Sequence, residues 1–234
     1  MKDNINTGLI LNRKIVIELR FKPSPKIFDI KGSIISSIES LNLFPKIHWE
    51  IGNAVVSIKD NNEPSKVRNQ IIIDLNRLAF ICTKIDSIDS FFSKFQKIYS
   101  ELNKIIGISP LTRIGCRIQG TYKVKSQKFD SILESFKKSF PTTTFLEEFP
   151  TNDLMLRINY NNGMYIIGPI KENDDFLKKQ FPFDERNNSV GIGIDTDNFL
   201  LSINESEVKE NKIKDVLTAS LAVEKSLYEK LKDF

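Results

Sequence analysis

The chain has 234 residues, 40% of them apolar, with 34 Lys/Arg against 30 Asp/Glu and a formal charge of +4. That is enough apolar material to bury a core as one large domain or two smaller ones, and too weak a basic bias for a nucleic-acid signature. No 18 apolar residues follow one another, which excludes a membrane-spanning segment in the sequence, and the opening MKDNINTGLILNRK lacks the apolar run of a signal peptide. The expectation is a cytoplasmic protein with reduced thiols, and no cofactor is implied.

The basic excess is uneven. Residues 1–107 hold 16 basic and 11 acidic side chains, and residues 108–234 hold 18 and 19. Cys82 and Cys116 sit in strand-like contexts, FICTKI and IGCRI, without a CxxC or a nearby His, and so read as small buried hydrophobes.

In chain order, residues 1–12 read as an N-terminal extension. RKIVIELRFKP (13–23) alternates with period two, placing Ile15, Ile17, Leu19 and Phe21 on one face and Val16, Glu18, Arg20 and Lys22 on the other. SPKIFDIKGSIISSIESLN follows at helical spacing, with Ser24 as cap and Pro25 at the first helical position. KIHWEIGNAVVSIKD reads as a hairpin about Gly52-Asn53, and QIIIDLNRLAFICTKI as another turning at Asn76. SIDSFFSKFQKIYSELNKIIG closes the half as a helix with Phe91, Phe92, Phe95, Ile98, Tyr99, Leu102 and Ile105 on its apolar side and Gly107 at its end.

The second half follows the same order. LTRIGCRIQGTYKV is a strand with Ile114, Cys116 and Ile118 inward and Arg113, Arg117 and Gln119 outward. SQKFDSILESFKKSF is a helix with Phe129, Leu133, Phe136 and Phe140 on one face, and DLMLRINYNNGMYIIGPI is a hairpin at Asn162-Gly163. A long polar loop over 171–188 carries Phe176, Phe181 and Phe183. SVGIGIDTDNFLLSI reads as the last hairpin, and a final helix occupies 205–234 with Ile213, Leu217, Leu221, Leu227 and Leu231 on one side.

The expectation is therefore an α+β fold. It is made of two tandem β-α-β-β-β-β-α repeats, 13–107 and 108–234, related by a pseudo-twofold axis and sharing one curved, mostly antiparallel sheet with helices on one face. That element order resembles the repeat of the TATA-binding protein fold. The resemblance implies a topology; the DNA wedges of that fold are Phe residues on an exposed sheet face, whereas here the first strands of the two halves expose Glu18, Arg20, Lys22, Arg113, Arg117 and Gln119.

IVIELRFKP (15–23), RIGCRIQG (113–120) and IGIDTD (192–197) together resemble a sporadically distributed bacterial family of unknown function, often found near mobile elements. Its members share a central Arg-Ile-Gly-x-Arg motif and an apolar strand ending in Asp-x-Asp. Cys116, Ile118 and Gln119 depart from the family pattern. The resemblance implies a fold and a genomic setting in defence or mobile-element loci, with no activity attached.

No catalytic constellation emerges. His48 is the single histidine, set beside Trp49 in a strand, so a His-dependent triad or multi-His metal site has little to work with. Asp195-Asp197 and Glu147-Glu148 are carboxylate pairs that could meet a metal, but Asp at a hairpin tip equally serves turn geometry, and no metal site is assigned. GIGID has alternate glycines in a strand and no following helix. It is therefore no nucleotide loop, and its glycines let backbone or a bulky neighbour come close. Arg113 and Arg117 share a strand face about 13 Å apart, and with Arg20 and Lys22 they could form a basic strip for phosphates or carboxylates, or pair across strands with Glu18. Two functions follow. The first is a non-enzymatic module binding a partner protein through its sheet or the 171–188 loop, with Arg20, Lys22, Arg113, Arg117, Phe176 and Phe181 as candidate contacts. The second is a nucleic-acid-binding protein using the Arg strip.

Overall fold

A computed structural model describes residues 5–108, 110–139, 153–181, 189–201, 203 and 210–234. Nine strands hydrogen-bond in the order β2-β3-β4-β5-β1-β6-β9-β8-β7. They are β1 (Ile10–Phe21), β2 (His48–Ile51), β3 (Val55–Lys59), β4 (Asn69–Asp74), β5 (Arg77–Cys82), β6 (Leu111–Tyr122), β7 (Leu156–Tyr160), β8 (Gly163–Ile170) and β9 (Gly191–Leu201). The β1–β5, β2–β3, β3–β4, β4–β5 and β7–β8 pairs are antiparallel. Among the described residues, four helices of ten residues or more accompany the sheet: α1 (Lys31–Ser40), α2 (Ile88–Ile106), α3 (Phe129–Ser139) and α5 (Glu210–Leu231); a short α4 spans Asp175–Gln180.

The chain forms two compact units. One is built mainly from Lys14–Arg117 with Asn198–Ser220, the other from Asn4–Arg13, Ile118–Asp197 and Leu221–Phe234.

In the first unit, the alternation of β1 is realised: Ile15, Ile17, Leu19 and Phe21 are buried, while Val16 and Glu18 are half-buried and Arg20 is exposed. The register pairs Leu19 with Leu78 and Ile17 with Phe80, which places one apolar face under α2. Phe91 of α2 stacks on Phe80 with ring centres 5.2 Å apart, a contact worth roughly 0.5–1.5 kcal/mol beyond area burial. α2 begins at Ser87, whose side chain accepts from the Ser90 N–H, and ends at Gly107 in the left-handed region (φ 73°) that an L side chain resists. Ile106 is buried on its apolar side where Ile105 was expected, one position on.

The helix expected from Ser24 is divided. Pro25–Phe28 is a single 3-10 turn closed by Ile27 N–H to Ser24 O and Asp29 N–H to Lys26 O. Ser24 makes no side-chain cap, and α1 starts afresh at Lys31. Ile27, Ile34 and Ile38 are nonetheless all buried, because the break preserves the apolar stripe.

In the second unit, Tyr122 of β6, Ile167 of β8 and Ile192 and Ile194 of β9 meet Ile132 and Phe136 of α3 and Tyr228 and Leu231 of α5. Phe140, expected on the same helix face as Phe136, lies outside the described residues. The β7–β8 turn consists of Asn161 and Asn162, with Asn161 at φ 49°; Gly163 already pairs with Tyr160 inside the ladder.

Three expectations fail here. Residues 191–201 form one continuous strand and make no hairpin, so three strands follow α3 among the described residues. A turn needs residues that leave the extended region, and Asp195-Thr196-Asp197 instead has in-sheet partners. Asp195 accepts from Gln119 Nε2 at 3.0 Å, and the Thr196 hydroxyl donates to Ile118 O at 3.4 Å. Gln119, expected to face outward, is consequently 2% exposed. Nor are all helices on one face. Ile167 points into the α3 cluster, so Ile170, three positions on in the same strand, points to the opposite side, where it packs with Leu177 and Phe181 of the α4 segment.

The glycines of GIGID do admit close neighbours. A Cβ on Gly191 would lie 2.3 Å from Tyr122 O, and one on Gly193 would lie 2.8 Å from the Ile170 side chain. Cys82 and Cys116 are both buried, and neither is in a disulfide. No helix among the described residues is long and apolar enough to cross a membrane.

Candidate functional site

The outward face of β1 in the first unit carries Val16, Glu18 and Arg20. Register sets what each meets on β5: Val16 lies opposite Ile81, Glu18 opposite Ala79, and Arg20 opposite Arg77. Two arginines directly across an antiparallel pair repel, and Glu18 answers that repulsion. Its Oε1 accepts from Arg20 Nε at 2.8 Å and from Arg113 Nη1 of β6 at 2.8 Å, and its Oε2 lies 3.8 Å from Arg77 Nη1. Asp74, at the end of β4, takes Arg77 Nε at 2.8 Å. Glu18 is thus the hub of three guanidiniums, with Asp74 as a second anchor.

The members differ in access. Arg113 is 14% exposed, Arg77 37% and Arg20 51%. Arg113 lies across its own strand, its guanidinium 5.0 Å from the centre of the Phe199 ring. A Cβ on Gly115 would meet that guanidinium at 2.6 Å. The glycine of RIGCR is therefore the shelf on which Arg113 reaches Glu18, a physical reason for an Arg-x-Gly pair in this strand.

Of the expected strip, then, Arg20 and Arg113 converge on Glu18. Lys22 is exposed one alternation beyond Arg20, and Arg117 is half-buried on β6. Arg77 and Asp74 were missed, because their part follows only from the β1–β5 and β4–β5 registers. Phe181 is 5% exposed and fastens the 171–181 segment to Ile170, so it offers no surface for a partner. The side chain of Phe176, together with Phe183, Glu147 and Glu148, lies outside the described residues.

Arg13, Glu224 and Tyr122 form a buried network in the second unit: Glu224 Oε2 accepts from the Arg13 guanidinium and Oε1 from the Tyr122 hydroxyl. His48 is half-buried on β2 beside a shallow cleft of about 320 Å³ that Trp49 and Lys59 also line. Among the described residues no group of three His, Cys, Asp or Glu side chains is placed to hold a metal. Burial pushes the Cys82 thiol up to about 11, which leaves it a poor nucleophile.

No family model matches the sequence, and no curated protein matches it. Among solved structures, one match is the crystal structure of Clostridium acetobutylicum aspartate kinase, an allosteric enzyme. It has 10% identity and a TM-score of 0.23, over 93% of this chain and 36% of that one. The chain therefore spans about a third of that enzyme's length, and the likeness is too low to establish a common fold.

Proposed function

We propose that this protein is a non-enzymatic binding module that engages a partner protein through the open face of the first unit's sheet. One observation carries the reading. Behind the apolar layer under α1 and α2, the opposite face sets half-buried Val16, Ile72 and Ile81 beside the Glu18-centred arginines. Half-buried aliphatics next to partly desolvated arginines are the composition of protein-recognition surfaces. An element order of strand, helix, strands, helix in each sequence half, and a strand order that runs outward from β1 and β6, support the duplicated, TATA-binding-protein-like reading, with one strand fewer in the second half. A cytoplasmic role in a bacterial defence or mobile-element locus rests on the motif resemblance of 15–23, 113–120 and 192–197.

Nucleic-acid binding through the Arg strip is the second reading. Arg113 speaks against it, since a guanidinium 14% exposed, bound to Glu18 and laid on Phe199 is not disposed toward a phosphate backbone. The test is affinity capture from the native host with wild type and with Ile81→Lys, read by mass spectrometry of protein and nucleic acid. Partners retained by wild type and lost on Ile81→Lys support the module. Tight retention of mixed-sequence DNA or RNA that weakens steeply with salt reverses the choice.

A further inference from the structure

Resting on the partner-binding reading of this face, we infer that Arg20 and Arg77 form an anion-gripping pair for the carboxylates of an acidic, extended segment of the partner. The two arginines are register partners on adjacent antiparallel strands, so their Cβ atoms stand about 4.5–5.5 Å apart on one face. Each donates a hydrogen bond through Nε, Arg20 to Glu18 and Arg77 to Asp74, both at 2.8 Å. Among the described residues their Nη1 and Nη2 groups donate no hydrogen bond, the nearest approach being Arg77 Nη1 to Glu18 at 3.8 Å. Tethering at Nε removes rotamer freedom from two long side chains in advance and leaves the terminal amino groups of both forks without a hydrogen-bond acceptor among the described residues. This is the pre-organised bidentate geometry suited to a carboxylate.

Charge complementarity selects the occupant. Three arginines stand against Glu18 and Asp74, leaving a local charge of +1, with exposed Lys22 beyond. A polyanion would bring many charges to a site with a small surplus and two resident carboxylates. A segment with one or two acidic residues matches it. Along the same face Glu18 and Ala79 follow, then Val16 opposite Ile81, with Ile72 of β4 opposite Ala79. The arginine pair and the Val16–Ile81 pair are four residues apart along the strand, about 13 Å. An extended segment thus places a carboxylate over the arginines and an apolar side chain roughly four positions away over Val16 and Ile81.

The probe is a labelled synthetic peptide with two Glu and, four positions on, a Leu-Val pair. It is titrated against the full chain by fluorescence anisotropy at about 0.15 M ionic strength, beside its Glu→Gln counterpart, inorganic phosphate and a mixed-sequence DNA oligomer. The acidic peptide binds wild type, its Gln counterpart binds about tenfold more weakly or worse, and Arg20→Gln/Arg77→Gln loses a similar factor. Arg20→Lys/Arg77→Lys keeps the charge but not the fork; it also weakens binding, and provides the readout should the Gln pair fail to fold. Absence of peptide binding by wild type, equal binding by the Lys pair, or DNA or phosphate displacing the peptide better than its Gln counterpart does overturns the inference. A host partner lost on Ile81→Lys but indifferent to the arginines sinks this inference while leaving the binding module standing; a partner indifferent to both sinks both.

Discussion

Removing Glu224 tests how the second unit is specified. The residue is 1% exposed, Arg13 is 6% exposed, and Tyr122, which donates to the same carboxylate, is fully buried. Glu224→Ala strips the carboxylate from a guanidinium that stays out of water and also withdraws the acceptor of a buried phenol. Breaking one side of such a pair costs about 3–5 kcal/mol, and the phenol's lost bond adds about 1 kcal/mol. Replacing both charges, Arg13→Met with Glu224→Leu, removes the uncompensated ion and should recover most of the loss. The assay is urea unfolding followed by circular dichroism, with wild type, Arg13→Met, Glu224→Leu and the Arg13→Met/Glu224→Leu variant forming a double-mutant cycle beside Glu224→Ala. The expected coupling between the sites is strong, with the double variant closer to wild type than Glu224→Ala. A single-variant loss under about 1 kcal/mol, or additive behaviour across the cycle, refutes the reasoning, because neither is compatible with a desolvated pair.

Three further outcomes are expected. Burial raises the Cys82 thiol from 9.0 to about 11, so between those values the unfolded chain sheds a proton that the folded chain keeps. Stability then falls as pH rises through that window, by up to about 2–3 kcal/mol, and Cys82→Ala flattens that part of the profile; an unchanged slope excludes the thiol as its source. Gly191→Ala presses a Cβ onto the Tyr122 carbonyl at 2.3 Å, whereas Gly193→Ala meets the Ile170 side chain, not backbone, at 2.8 Å. The first should cost about 2–3 kcal/mol and the second about 1 kcal/mol, and the reverse order in chemical denaturation contradicts the packing. Glu18→Gln should cost about 1 kcal/mol, between exposed and buried pairs, with a loss that shrinks in high salt; a salt-independent change argues against Glu18 as the charge hub.

Elements whose signal is local were readable. The spacing of Phe91, Phe95 and Leu102 and the terminal Gly107 mark α2 without reference to anything else, and the strict alternation of 15–21 marks β1 and its outward charges. What failed depended on tertiary partners that spacing along the chain does not reveal. Asp195 looks like a turn residue until Gln119, 76 positions away, is found holding it inside a strand. Phe181, a candidate contact that could equally pin its loop to the core, is taken by Ile170 and Leu177. At the candidate site the sequence offered Glu18, Arg20 and Arg113, but Arg77 enters only through the β1–β5 register and Asp74 only through β4 beside it. A one-residue slip of β5 against β1 would place Arg77 on the other face, and one of β4 against β5 would do the same to Asp74.

The strand order also governs the molecule's behaviour at high concentration. β1 and β6 have twelve residues each, whereas the outermost strands, β2 and β7, have four and five. Unpaired backbone at a sheet margin is a template on which further chains can add, and its capacity scales with its length. Here that template is cut to the shortest segments of the sheet. It is further interrupted by Glu50, which is 72% exposed and tied to Lys59, on one margin and by exposed Arg157 on the other. Trp49 and Tyr160, both well exposed, sit on these same strands. The strands most able to nucleate fibrils are thus the ones with least length to do so, and lengthening β2 or neutralising Glu50 should be the quickest way to turn a well-behaved preparation into an aggregating one.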